Sequence, residues 1–193
     1  MSVGERQWVL TAYLLAFGGL LLFGGRLADI VGRRRIFVIG VIGFVVASVV
    51  GGLAQTSTML IAARAMQGVG AALMAPAGLS LISAAFPNTA ERTKALGIFG
   101  AIAGSGAAVG FIAGGVFTEY LDWRWALLVN VPIGLLATAG AFYAVRDTTA
   151  RVKRRLDLAG AVLVSTALMA LILGFSEAER SGWAGAPTIA LLG

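Results

Sequence analysis

Residues 36–63 read IFVIGVIGFVVASVVGGLAQTSTMLIAA, twenty-eight positions without a charge between Arg35 and Arg64. At 1.5 Å per residue, about 20 apolar residues cross a hydrocarbon core about 30 Å thick. The run is therefore too long for one crossing, and it contains the turn Ala54-Gln55-Thr56-Ser57-Thr58. One helix ends near Ala54 and the next starts near Met59. Five further charge-free runs lie on either side: Gln7–Gly25, Ala65–Ala90, Ala95–Thr118, Trp125–Val145 and Leu158–Ser176. Six complete helices are predicted, at Trp8–Ala28, Ile36–Ala54, Met59–Phe86, Ala95–Thr118, Trp125–Val145 and Leu158–Phe175. A seventh begins near Ala186 and is cut off at Gly193. The predicted fold class is an all-α, polytopic integral membrane helix bundle.

Composition supports that reading. Hydrophobic residues make up 59% of the chain, with 27 glycines besides, against about 45–50% for the combined set in soluble domains. Charged residues are 12%, about half the usual share, and mean hydropathy is +0.90. A soluble globule has too much surface to cover with so few charges. The chain has neither Cys nor His, so it offers no thiolate, no disulfide and no His-based metal or acid–base site. Neither a cofactor nor a metal is expected, and nothing clusters as an enzyme's catalytic side chains would. The net charge of +6 points to no nucleic acid, because the basic residues flank the apolar runs, where membrane topology puts them.

Those flanks orient the chain. Eleven basic residues, among them Arg26, Arg33, Arg34, Arg35, Arg92, Lys94 and Lys153, fall in alternate loops, whereas only Arg6, Arg124 and Arg180 fall on the other side. The positive-inside rule makes the first group cytoplasmic and puts the N-terminus outside. The first apolar run is read as a span rather than a cleaved leader. Such an N-out start suggests a fragment that lacks one upstream span and more downstream.

Three stretches exceed what a lipid-facing bundle needs. Gly25-Arg26-Leu27-Ala28-Asp29-Ile30-Val31-Gly32-Arg33-Arg34-Arg35 sets an aspartate at a helix C-terminus, where it faces the negative end of the dipole unless paired; Arg33 is four positions on. Leu60–Gly70 carries Arg64, with Gln67 and Gly68 following. A lone arginine in a span costs roughly 2.5–3.5 kcal/mol on insertion scales, so Arg64 either snorkels to the near interface or faces an interior cavity. Asp122-Trp123-Arg124-Trp125 precedes a span containing Asn130 and Pro132, two residues out of place in a simple anchor. A fourth feature is the glycine series of the fourth span, Gly106, Gly110, Gly114 and Gly115, which suits close helix packing.

Taken in order, these stretches resemble the motifs of the major facilitator superfamily. Gly25–Arg35 resembles motif A between helices two and three, Leu60–Gly70 motif B in helix four, and Gly106–Gly115 the antiporter motif C in helix five. Trp123, Arg124 and Trp125 with Asn130 and Pro132 look like the opening of helix six in the fourteen-span drug:proton antiporters. The resemblance implies a partial major facilitator fold: residues 1–145 as an N-terminal half lacking helix one, and 146–193 as a basic cytoplasmic link, one further helix and the start of the next. It implies a cytoplasmic gate at Gly25, Asp29, Gly32, Arg33 and Arg34. It also implies a cavity-lining, proton-tuning role for Arg64, Gln67 and Gly68, and a bending, leak-blocking helix five. Ile30 replaces a basic residue of motif A, and Phe111 replaces the motif C proline.

The function so implied is alternating-access, proton-coupled export of a small lipophilic drug or metabolite from the plasma membrane. Its partners would be substrate, protons, membrane lipid and the absent C-terminal half. A membrane scaffold or truncated-gene product derived from a transporter half is the alternative. The nine acidic residues all fall in loops or at helix ends, and Arg64 stays protonated at physiological pH. The proton-carrying carboxylate is therefore expected from outside these residues.

Overall fold

The computed structural model describes residues 2–144, 158–183 and 185–192, and these form helices joined by short links. The elements are α1 (Val3–Val31), α2 (Arg33–Gly52), α3 (Ser57–Ala85), α4 (Thr89–Tyr120), α5 (Trp125–Leu128), α6 (Asn130–Ala144), α7 (Leu158–Ser181) and α8 (Ala186–Leu192). Among the described residues, six helical segments are long and apolar enough to cross a membrane. The predicted basic link, with Arg146, Arg151, Lys153, Arg154 and Arg155, lies outside the described residues.

Several helices start earlier than predicted, each because a polar side chain caps free backbone N–H groups. Ser2 and Glu5 form a capping box, the Glu5 N–H donating to Ser2 Oγ at 3.2 Å, so α1 begins at Val3 rather than Trp8. Asn88 Oδ1 accepts from the Ala90 N–H at 2.9 Å, which carries α4 back from the predicted Ala95 to Thr89. Thr56 Oγ1 accepts from the Met59 N–H at 3.2 Å, and α3 begins at Ser57. At the far end α7 runs past the predicted Phe175 to Ser181 and stops at Gly182, whose φ is 81°.

The span predicted at Trp125–Val145 is interrupted between α5 and α6. Pro132 has no N–H to give the Leu128 carbonyl one turn back. Asn130 Nδ2 donates to the Leu127 carbonyl at 3.1 Å in the same turn. Asn130 and Pro132 thus both act at the break, the proline by withholding a donor and the asparagine by bonding the adjacent carbonyl.

Helix α3 is the hub, packed along α1 on one side and α2 on the other; α7 lies on α1, α8 on α7, and α5 and α6 on α2. The α2–α3 contact is a reciprocal glycine seam. A Cβ built on Gly40 would lie 2.8 Å from the Gly70 carbonyl oxygen, and one on Gly70 would lie 2.8 Å from that of Gly40. Lipid gives helices little hydrophobic reason to associate, so backbone proximity of this kind supplies the dispersion contacts. Helix α4 differs: among the described residues it touches only its chain neighbours α3 and α5, and none of its residues is buried.

Candidate functional site

Arg64 lies two turns into α3, and neighbouring helices supply its partners. Gly68 brings α1 close: a Cβ there would lie 2.8 Å from Ala16 Cβ and 3.0 Å from the Phe17 nitrogen. That approach sets Tyr13 beneath the guanidinium, with Arg64 Cζ 4.4 Å from the ring centroid. The ring is itself stacked on Phe17, centroid to centroid 5.9 Å. Arg64 Nε donates to the Val9 carbonyl at 3.2 Å and Nη1 to Gln67 Oε1 at 2.9 Å. Gln67, 1% exposed, donates from Nε2 to Ser48 Oγ at 2.7 Å, and Ser48, 0% exposed, donates to the Phe44 carbonyl at 2.7 Å. The chain of bonds crosses from α3 to α2.

The Arg64 side chain turns toward α1 and Gln67 rather than along the outside of α3. The guanidinium is held between Val9 and Tyr13 of α1 and Gln67 of its own helix. Its contacts, one of them cation–π, offset the cost of a charge in a span. Arg64 forms no ion pair, and its Nη2 makes no hydrogen bond, among the described residues. Gln67 faces Ser48 rather than a cavity.

The motif A residues gather where α1 turns into α2. Gly32 is the whole link between the two helices: its φ of 117° lies where side chains are disfavoured. The turn brings Arg33 back over Asp29, Nη2 to Oδ1 3.4 Å, with the carboxylate side chain 46% exposed. Arg34 turns away and donates from Nη2 to the Phe142 carbonyl of α6 at 3.1 Å, its Cζ 5.0 Å from the Phe142 ring centroid. A cation there meets the negative end of the α6 dipole. Gly25 and Asp29 line a cavity of about 830 Å³ between α1, α3 and α7, with Pro76, Ser80 and Val164.

Two residues of this corner carry no sequence motif. Pro76 leaves the Ala72 carbonyl without its helical donor, and Gly24 of α1 packs directly on that oxygen. Gly25, the motif residue, has looser surroundings: a Cβ there would meet Pro76 Cβ at an ordinary 3.5 Å. A proline in a span, paired with adjacent glycines on another helix, is the signal that could have revealed this lock.

At the opposite end Arg124 donates from Nη2 to the Ala54 carbonyl at 2.8 Å, contacts Asp122 at 3.4 Å and covers the Trp123 ring at 4.6 Å. Leu128 of α5 sits on Gly52, where a Cβ would fall 2.7 Å from Leu128 Cδ2. Arg124 and Leu128 therefore tie α5 to the end of α2, while Trp125 is exposed. The motif C glycines come together with nothing: Gly106, Gly110, Gly114 and Gly115 have open space where a Cβ would point, and Phe111 is 83% exposed. Their predicted packing role has no partner helix among the described residues.

Over residues 1–192 the sequence matches the profile of the Major Facilitator Superfamily. The chain belongs to that superfamily. It is 54% identical over 192 residues to the puromycin resistance protein pur8 of Streptomyces alboniger, covering 100% of this chain and 38% of that protein. It is 50% identical over 182 residues to the cephamycin export protein CmcT of Amycolatopsis lactamdurans, covering 92% of this chain and 37% of that protein. A probable actinorhodin transporter of Streptomyces coelicolor is 40% identical over 186 residues, covering 94% of this chain and 32% of that protein. The chain thus spans between 32% and 38% of the length of these relatives. With six helices of spanning length, this superfamily member is a multi-pass membrane protein with a partial major facilitator bundle.

Proposed function

We propose that these helices work in a proton-coupled exporter of antibiotic-like molecules, operating by alternating access in the plasma membrane. They correspond to helices two to seven, and the start of eight, of a fourteen-span arrangement. The Gly32 end is cytoplasmic. Arg64 carries the proposal: a fixed guanidinium inside the bundle, with one edge left over, is an electrostatic device for a group that changes charge. An opposite charge beside a carboxylate lowers its pKa, so Arg64 would tune a proton carrier supplied by helices outside these residues. Asp29, Gly32 and Arg33 form the cytoplasmic gate, whose exposed ion pair is weak enough to be exchanged between states.

The names of the relatives support a substrate class rather than one substrate, since a puromycin resistance protein, a cephamycin exporter and a probable actinorhodin transporter share this region. Cells producing the protein that contains these helices are expected to accumulate less puromycin or lipophilic dye than control cells. A protonophore should abolish the difference. Equal accumulation in producing and control cells across such a panel would overturn the export reading, and export indifferent to the protonophore would overturn the coupling.

A further inference from the structure

We propose that Ser48 and Tyr13, which belong to none of the recognised motifs, are positioning residues that fix the direction of the Arg64 guanidinium; the functional part of this proposal rests on the proton-coupled reading above. Ser48 has one hydroxyl proton, and it is committed to the Phe44 carbonyl one turn back on α2 at 2.7 Å. Its oxygen can then only accept toward α3. That requirement selects the nitrogen end of the Gln67 amide, whose Nε2 lies 2.7 Å away. With Nε2 so engaged, Oε1 must point the other way, where it accepts from Arg64 Nη1 at 2.9 Å. A flipped amide would set N–H against N–H at Arg64 and carbonyl against a spent hydroxyl at Ser48, with both ends buried.

Tyr13 acts from the other side. Its ring supports the guanidinium at 4.4 Å and rests on Phe17, while its hydroxyl makes no hydrogen bond among the described residues. The ring rather than the oxygen is the working part. With Nε on Val9, Nη1 on Gln67 and the face on Tyr13, rotation of the guanidinium is blocked. Only the Nη2 edge remains for a partner. Of the other charges on the elements around Arg64, α3 has none, α2 has Arg33, Arg34 and Arg35 at its far end, α1 has Glu5 and Arg6 nearer its start and Arg26 and Asp29 toward its end, and α7, packed on α1, brings Glu177 beside Gln7, Trp8 and Thr11.

Two readouts test this in the protein that contains these helices, held in lipid nanodiscs. The first is the ¹⁵Nε–Hε resonance of Arg64, assigned by its loss in Arg64→Lys. It should be slowly exchanging in the parent and in Tyr13→Phe, and fast or broadened in Ser48→Ala and Tyr13→Leu. Persistence of the parental signal in Ser48→Ala and Tyr13→Leu would overturn the positioning role, whatever the protein transports. The second is the pH midpoint of export. Ser48→Ala should raise it by about half to one unit, since one hydrogen bond's worth of orientation is lost from the charge that holds the carrier ionised. Tyr13→Leu, which leaves the bond between Gln67 and Ser48 in place, should shift it the same way by freeing the guanidinium, so a folding failure of Ser48→Ala leaves the test intact. Reduced export with an unmoved midpoint in these variants would make the residues merely structural and overturn their functional part. A parent with no pH dependence would instead sink the coupling reading, leaving the resonance to decide the geometry.

Discussion

Alanine at Gly70 and alanine at Gly106 are expected to change stability in opposite directions, although both replace a glycine inside a membrane span. At Gly70 the new methyl would lie 2.7 Å from the Phe44 nitrogen and 2.8 Å from the Gly40 carbonyl oxygen. Both are backbone atoms, so no side chain can swing away, and α2 and α3 must separate by several tenths of an ångström. Overpacking of this kind costs about 1–3 kcal/mol. Alanine's helix propensity returns about 1 kcal/mol of this, and for a chain of this size 1 kcal/mol moves the melting temperature by about 2–4 °C, so a backbone clash at the upper end of the range should lower the melt of Gly70→Ala by about 4–8 °C. At Gly106 nothing lies within 4 Å of the added methyl, and alanine favours the helix over glycine by about 0.8–1 kcal/mol. Gly106→Ala in the 193-residue chain should therefore melt at the parental temperature or slightly above. The assay is a thermal melt of the chain in detergent micelles, followed by tryptophan fluorescence and far-ultraviolet circular dichroism. Parental stability in Gly70→Ala, or an equal loss in Gly106→Ala, would refute the seam.

Exposed single cysteines should separate the two faces of the membrane: an impermeant thiol reagent added outside intact cells is expected to label Gln55→Cys but not Thr93→Cys, and the reverse pattern would invert the orientation. Asp29→Asn in the protein that contains these helices should slow export while leaving thermal stability within about 1 kcal/mol, as befits an exposed ion pair; unchanged export, or failure to insert, would remove Asp29 from the gate. Arg124→Ala should loosen α5 from the end of α2 and lower the melting temperature by a few degrees through loss of a charged hydrogen bond worth about 1.5–3 kcal/mol. An unshifted melt would show the Ala54 contact to be incidental.

The spans were legible because charge is costly in lipid and therefore punctuates the sequence, but the link at Gly32 was not: the loop predicted between Ala28 and Ile36 shrinks to one residue because the helices run on through Asp29 and the arginines. Helix starts were less legible. Ser2, Thr56 and Asn88 extend helices through polar segments that hydropathy alone assigns to loops. Arg64 announced itself as a charge in a span, but Ser48 did not, since a serine among valines reads as a small packing residue until Gln67 is seen against it. Gly40 and Gly24 were likewise hidden: which of 27 glycines meets a backbone depends on rotation about the helix axis, a property of the assembled bundle. The motif C glycines show the converse, a plain pattern on α4 with no neighbour to receive it.

The central claim is that Arg64 serves a proton-coupled step, and its most direct test is substrate-driven proton movement in proteoliposomes. The protein that contains these helices is reconstituted with a pH-sensitive dye inside, and substrate is supplied without an imposed gradient. Proton flux opposite to substrate flux is expected in the parent, with a pH optimum displaced in Arg64→Lys because lysine keeps the charge but cannot hold Val9, Gln67 and Tyr13 at once. Substrate transport without proton movement, or an Arg64→Lys profile that overlies the parent's, would contradict it.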